Sequence, residues 1–221
     1  MTEAHFDMIN FILGIFLHLD TFLYSLLTQY NTAAYIVVFV IIFIETGLVI
    51  TPFLPGDSLI FAVGAIAAAG GPVSKPLVLL LLCAAAVAGD TVNFHIGCAM
   101  REKVLRREKI PLVKQEHIDK TQAFFARNGG KTITIARFIP IIRTFAPFVA
   151  GVGEMKYRRF LMFNVAGGVS WVALMFSIGF FFGNISAVKS HFSLIVVAII
   201  IISVIPAVAA LIKSRFSAAQ A

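Results

Sequence analysis

Residues 45–61 read ETGLVITPFLPGDSLIF. They sit in the middle of 44 residues, Asn31 to Ser74, whose only charges are Glu45 and Asp57. An apolar helix needs about 20 residues to cross a bilayer. This stretch has twice that, and its centre holds two residues, Pro52 and Pro55, that break helices. The reading is two helical arms joined by an irregular tip, with Pro52, Pro55 and Gly56 as tip backbone. Non-helical backbone at membrane depth is tolerated only where it is buried in protein or lines a cavity.

Working outward, the whole chain is oil-rich. It has 221 residues, 59% hydrophobic and 13% charged, against roughly 25% charged in an ordinary soluble domain. Its mean hydropathy is +0.94. One all-α integral membrane domain over residues 1–221 is the economical expectation. The net charge of +7 does not point to nucleic acid, because the positive residues follow the membrane topology described next. Residues 1–20 carry no Lys or Arg and do not read as a signal peptide. Cys83 and Cys98 fall on one predicted helix, too far apart to bridge. His95 and Cys98 are spaced i, i+3, but two ligands do not make a metal site. The GGKT at 129–132 lacks the earlier glycine of a phosphate-binding loop, since position 125 is Phe; it reads as a turn. With no nucleophile triad, metal set or cofactor fingerprint in the sequence, neither an enzyme nor a cofactor is expected.

Four zones are plainly apolar: 31–74, 76–100, 160–183 and 192–212. A fifth, 132–153, carries Arg137, Arg143, Pro140 and Pro147. The segment 101–131 holds nine Lys/Arg against four Asp/Glu, so the positive-inside rule makes it cytoplasmic. Lys156, Arg158 and Arg159, and the tail with Lys213 and Arg215, follow the same rule. Residues 132–153 therefore start and end on one side. Twenty-two residues cannot cross twice at about 1.5 Å each. A re-entrant hairpin, turning near Pro140–Pro147 with arms of about nine residues, resolves this. Spans 160–183 and 192–212 then leave the C-terminus cytoplasmic. Span 76–100 puts Lys75 outside, which makes 31–74 a second hairpin, entered from the opposite face. In residues 1–30, Asp7, Asn10, Gly14, His18, Thr21, Ser25 and Thr28 form a polar stripe at helical spacing. This predicts an amphipathic helix on the outer surface, with an additional span as the alternative.

Thr51–Gly56 (TPFLPG) matches Ala146–Gly151 (APFVAG) at three of six positions, each copy placed at a hairpin tip. Hairpin plus span, twice and in opposite orientation, is the inverted-repeat plan of secondary transporters. The repeats differ in charge: Glu45 and Asp57 in the first, Arg137 and Arg143 in the second. Each charge at mid-bilayer costs roughly 3 kcal/mol, so the four should meet one another, water or a charged ligand.

Four motifs carry a family resemblance: FIETGLVITPFLPGDSL, VAGDTVNFHIG, HIDKTQAFFARNGGKTITIARFIPIIRTFAPFVAGVGEM and the span with Trp171. The chain resembles, over nearly its whole length, the DedA family of bacterial inner-membrane proteins, related to the VTT domains of eukaryotic lipid scramblases. The resemblance implies envelope homeostasis dependent on the proton gradient, with lipids as substrates, notably undecaprenyl phosphate. It places the essential acids on Glu45 and Asp57 and the essential arginines on Arg137 and Arg143.

The chemistry suits these assignments. A carboxyl buried in low dielectric holds its proton more tightly, so it can load on one side and release on the other. Guanidinium forks bind phosphate oxygens two at a time. Against this stands a plain alternative, in which the same four residues form structural ion pairs. Asp90, mid-span, is either a proton relay or a cap on a hairpin tip. Gly179 and Gly183 permit close helix packing, in a homodimer or within the fold. The expected function is a proton-linked flippase for a lipid phosphate, undecaprenyl phosphate or a phospholipid. The rivals are a proton-coupled antiporter of small cations or drugs, and a non-transporting scaffold.

Overall fold

The computed structural model describes residues 32–48, 56–71, 73–107, 115–183 and 185. The expected N-terminal helix, the span 192–212 and the tip residues Pro52 and Pro55 lie outside them. All regular structure among the described residues is helical: α1 (Thr32–Gly47), α2 (Gly56–Ala68), α3 (Lys75–Leu105), α4 (Gln115–Asn128), a 3-10 turn (Gly129–Lys131), α5 (Thr132–Ala136), α6 (Pro140–Val152) and α7 (Tyr157–Gly183).

Two of these helices, α3 and α7, are long and apolar enough to cross a membrane, with mean hydropathies of 2.0 and 1.9 over their best windows. At about 1.5 Å per residue both exceed the ~30 Å hydrocarbon core. They match the expected spans 76–100 and 160–183, each with extra turns at a polar end. Both present large apolar side chains outward, among them Leu80, Met162 and Phe181, as a surface solvated by lipid would. Helices α1, α2 and α6 are shorter, 16, 13 and 13 residues, and fall short of the core thickness.

Local chemistry explains the breaks. Asp57 lies in the first turn of α2, where a negative charge complements the helix dipole. Gly129 takes a left-handed φ of +57°, which ends α4 cheaply because it has no Cβ. Ile139, preceding a proline, is extended at φ −121°, ψ 107°, as the proline ring requires. Pro140 then opens α6, where its missing N–H costs nothing. The chain thus turns at residues 137–139, not between Pro140 and Pro147. Pro147 lies inside α6 and is not tip backbone. The segments flanking this turn are 5 and 13 residues long, not nine each, because Pro140 and not Pro147 sets the break.

The described residues form two compact units, with boundaries inside α1, α3 and α7. In the unit that holds 55–78 and the chain from 175 onward, α2 packs on the end of α7. Gly64 lies against the backbone of Phe176 and Phe180, and Gly179 against that of Phe61. Gly183 meets Ala65. A Cβ at any of these would collide with backbone, so the Gly179/Gly183 pair serves packing within this chain. Tyr35 Oη accepts a 2.8 Å hydrogen bond from the Ser74 N–H.

In the other unit, residues 38–54 and 79–174, α6 packs on α3. Gly97 lies against the backbone of Phe148, and Gly151 against Phe94 and Cys98. Phe145, Phe148, Val149 and Val152 of α6 form a core with Val104 and Ile118. Phe94 stacks on Phe160 at 4.4 Å between ring centroids.

The two joints are alike in detail. FAVG (61–64) on FSIG (176–179) repeats as FVAG (148–151) on FHIG (94–97). In each, the glycine of the short helix meets the phenylalanine of the long one, and the reverse. This register pairs Gly64 with Gly151. The TPFLPG/APFVAG match instead pairs Gly56, the first residue of α2, with Gly151, near the end of α6. That hexapeptide match is not the register in which the packing repeats, because close backbone approach, and not a shared Pro-Phe, is what the packing conserves.

Candidate functional site

The site lies in the unit built on 38–54 and 79–174. The end of α1 supplies Glu45 and Thr46, and α3 supplies Asp90 and Asn93, one turn apart on one face. The turn after α5 supplies Arg137, and α6 supplies Arg143 and Thr144. Helix α7 supplies Asn164, Gly167, Gly168 and Trp171, spaced by three and four along one face. Glu45, Asp90, Arg137, Arg143 and Trp171 line one small cavity of about 10 Å³, room for about one water.

Arg137 is buried, and its Nη2 donates to Asp90 Oδ2 at 2.5 Å, to Asn164 Oδ1 at 2.7 Å and to the Ala86 carbonyl at 3.3 Å. Asn164 is itself anchored, its Nδ2 donating to the Val87 carbonyl at 3.0 Å. The guanidinium arm runs over Gly167 and Gly168, where added Cβ atoms would stand 3.2 Å from its Cδ and 3.5 Å from its Nη2. Arg143 pairs with Glu45, Nη2 to Oε1 at 2.6 Å. Its side chain is 17% exposed, against 6% for Arg137. Both guanidiniums face the Trp171 ring, at 4.9 Å for Arg143 and 5.7 Å for Arg137, where the ring's electron-rich face attracts cations. Asn93, fully buried, donates from Nδ2 to the carbonyls of Thr46 (3.2 Å) and Thr144 (3.0 Å).

Four of the five charged residues singled out in the sequence therefore meet, and one of the two pairs departs from those expected. Arg137 pairs with Asp90 and not with either acid of the first hairpin; Glu45 takes Arg143. Asp57 belongs to the other unit. Asp90, on the unbroken α3, bonds through its side chain to Arg137 in the turn between α5 and α6. His95 turns back on its own helix, with Nδ1 2.7 Å from the Thr91 carbonyl.

The sequence reading missed Asn93, Asn164, Trp171 and the Gly167–Gly168 pair as site residues. A signal was present. Asn93 and Asn164 are amides in otherwise apolar spans, and buried amides need partners. The lone Trp of the chain lies mid-span, away from the interfaces where tryptophan is enriched.

Comparison with known proteins gives a consistent picture. The VTT domain model matches residues 54–181, more than half the chain. The chain is 43% identical over 216 residues to the protein named DedA of Escherichia coli strain K12, covering 97% of this chain and 99% of that one. It is 39% identical over 175 residues to an uncharacterized membrane protein of Mycobacterium tuberculosis, covering 77% and 75%. It is 33% identical over 150 residues to the inner membrane protein YqjA of E. coli K12, covering 68% of each. No solved structure matches.

Proposed function

The chain belongs to the DedA family of membrane proteins, with a VTT domain at its centre, and from that premise we propose that it is a proton-linked flippase for a lipid-borne phosphate such as undecaprenyl phosphate. It acts in the bacterial inner membrane, the location that the name of one relative gives. The observation that carries the reading is the unequal state of the two arginines. Arg137 is locked by Asp90, Asn164 and a backbone carbonyl. Arg143 has its charge answered by Glu45 at the edge of a cavity with room for one water.

A phosphate enters this site only if Arg143 leaves Glu45. Protonating Glu45 removes the charge that holds Arg143 and frees its fork for phosphate oxygens. Release of that proton from Glu45 restores the carboxylate, re-forms the pair and expels the anion. Proton and phosphate are thereby coupled through one guanidinium. The Trp171 ring face, 4.9 Å from the Arg143 guanidinium, holds Arg143 in reach. Once Glu45 is protonated, the lining sets Asp90 against Arg137 and Arg143, a surplus of positive charge that disfavours a small cation, so the antiporter reading has no observation of its own here.

The hairpin and inverted-repeat topology belongs to the same proposal. Its support is the pair of matching joints, FAVG on FSIG and FVAG on FHIG, in which the short helix of each half packs on the long helix of the other. In that register Asp57 takes the place of Thr144, next to that of Arg143. The second proton-coupling acid and the phosphate-binding arginine thus stand one step apart in the repeat, which favours keeping Asp57 in the mechanism. The cytoplasmic C-terminus and the basic segment 101–131 follow from the charge distribution.

The deciding assay is purified protein in liposomes with labelled undecaprenyl phosphate. We expect translocation that rises with an imposed pH gradient and stops when a protonophore collapses it. No translocation above protein-free liposomes, with or without the gradient, overturns the proposal.

A further inference from the structure

Asn93 ties together the two chain segments carrying the Glu45–Arg143 pair. Its Nδ2 donates to the carbonyls of Thr46 and Thr144, the residues that directly follow Glu45 and Arg143. Two acceptors facing one end of the amide require that end to be the NH2 group. Both acceptors occur at or beside an interruption of helical bonding. Thr46 falls in the last turn of α1, whose carbonyls lack helical donors. Thr144 directly follows Arg143, whose carbonyl receives no helical N–H because the residue four on is Pro147.

The cost of the arrangement is visible. Asn93 is fully buried, and its Oδ1 has no hydrogen-bond partner among the described residues. A buried polar atom left unpaired destabilises a fold. The repeat shows that packing alone does not need it. In the register of the two joints, FHIG (94–97) corresponds to FSIG (176–179), so Asn93 corresponds to Met175. The joint of α2 on α7 has the same glycine and phenylalanine contacts with an apolar residue at that place.

We propose that Asn93 is a positioning residue for the Glu45–Arg143 pair: its carboxamide fixes the backbone beside both charges and so sets how readily Arg143 exchanges Glu45 for an anionic ligand. The second half of this statement rests on the reading of Arg143 as the phosphate ligand; the first half does not. Loss of the amide lets the end of α1 and the turn of α6 around Thr144 drift apart. Arg143 then no longer shares one geometry with Glu45 and the Trp171 ring.

The test uses the single tryptophan of the chain, which faces Arg143 at 4.9 Å, as a reporter that needs no substrate. Full-length wild type, Asn93→Met and the isosteric Asn93→Asp are purified in detergent and compared by thermal midpoint, Trp171 emission and affinity for undecaprenyl phosphate. Each is also made in an Arg143→Gln background. Asn93→Met, which installs the residue of the other joint, should remain folded. It should shift Trp171 emission, and the shift should vanish in the Arg143→Gln background. Lipid-phosphate binding should weaken about tenfold, the scale of one net hydrogen bond. Asn93→Asp, which donates to neither carbonyl when ionised and to one at most when protonated, should behave the same way if Asn93→Met fails to fold. Unchanged emission in folded variants, or the same shift with and without Arg143, overturns the positioning role. If emission shifts as expected while wild-type protein binds no undecaprenyl phosphate, the positioning role stands and the ligand assignment falls.

Discussion

Arg137 and Arg143 are six residues apart and chemically identical, yet their surroundings assign them different work. Arg137 is closed in on every side, and its Asp90 partner is equally buried. Removing one member of such a pair strands the other charge, a loss of about 3–5 kcal/mol. Arg137→Ala should therefore lower the thermal midpoint of the purified protein sharply, and Asp90→Ala should do so equally. Arg143→Ala should cost less stability, because its pair reaches the cavity edge, but should lose most affinity for the lipid phosphate. Arg143→Lys keeps the charge without the fork, so binding should weaken measurably rather than persist. A folded Arg143→Ala protein with wild-type affinity would remove Arg143 from the ligand set. The pairing itself was not legible in the sequence. Charge counting shows that Glu45, Asp57, Arg137 and Arg143 need partners, but nothing in it brings Asp90 to Arg137 until the helices are placed.

At the scale of elements, glycine decides which helices touch. Gly64 on Phe176, Gly179 on Phe61, Gly151 on Phe94 and Gly97 on Phe148 bring backbones closer than any Cβ allows. Forcing a larger side chain into a packed contact typically costs 1–3 kcal/mol, roughly, and more where backbone must move. Gly151→Val and Gly64→Val should each lower the thermal midpoint by similar amounts, since the two joints have the same contacts. Ala99→Val, at an exposed position of α3, should change little. A large difference between the two glycine variants would mean that the joints are not equivalent. The FxxG recurrence was present in the sequence at 61–64, 94–97, 148–151 and 176–179, but short Phe/Gly patterns are common in apolar chains. Only the contacts separate them from chance and displace the TPFLPG/APFVAG register.

For the whole molecule, the proposal links protons, topology and turnover. Glu45→Gln mimics the protonated acid, so it should bind lipid phosphate more tightly than wild type and fail to transport it. Wild-type binding should tighten as pH falls, since protonation of Glu45 releases Arg143, and Glu45→Gln should lose that dependence. Equal pH dependence in both proteins would place the proton elsewhere. The hairpin topology has its own check. In a background lacking Cys83 and Cys98, single cysteines at Gln115 and Lys156 should be protected together from an impermeant reagent in intact cells, while one at Ser74 reacts. Labelling of 115 and 156 from opposite faces would mean that residues 132–153 cross the membrane.

Composition and the spacing of charges were enough to determine a helical membrane protein, the two long helices α3 and α7, and the short list of charged residues from which the site is drawn. These are one-dimensional properties: apolar length against bilayer thickness, and the cost of a charge away from water. Where the chain turns at 137–139, which acid holds which arginine, and the contacts of Asn93, Asn164 and Trp171 were decided only by the tertiary structure. Each depends on distances between segments far apart in the chain, and on the close approach that paired glycines permit. Glu45 and Arg143 are 98 residues apart, and no local pattern records that they meet.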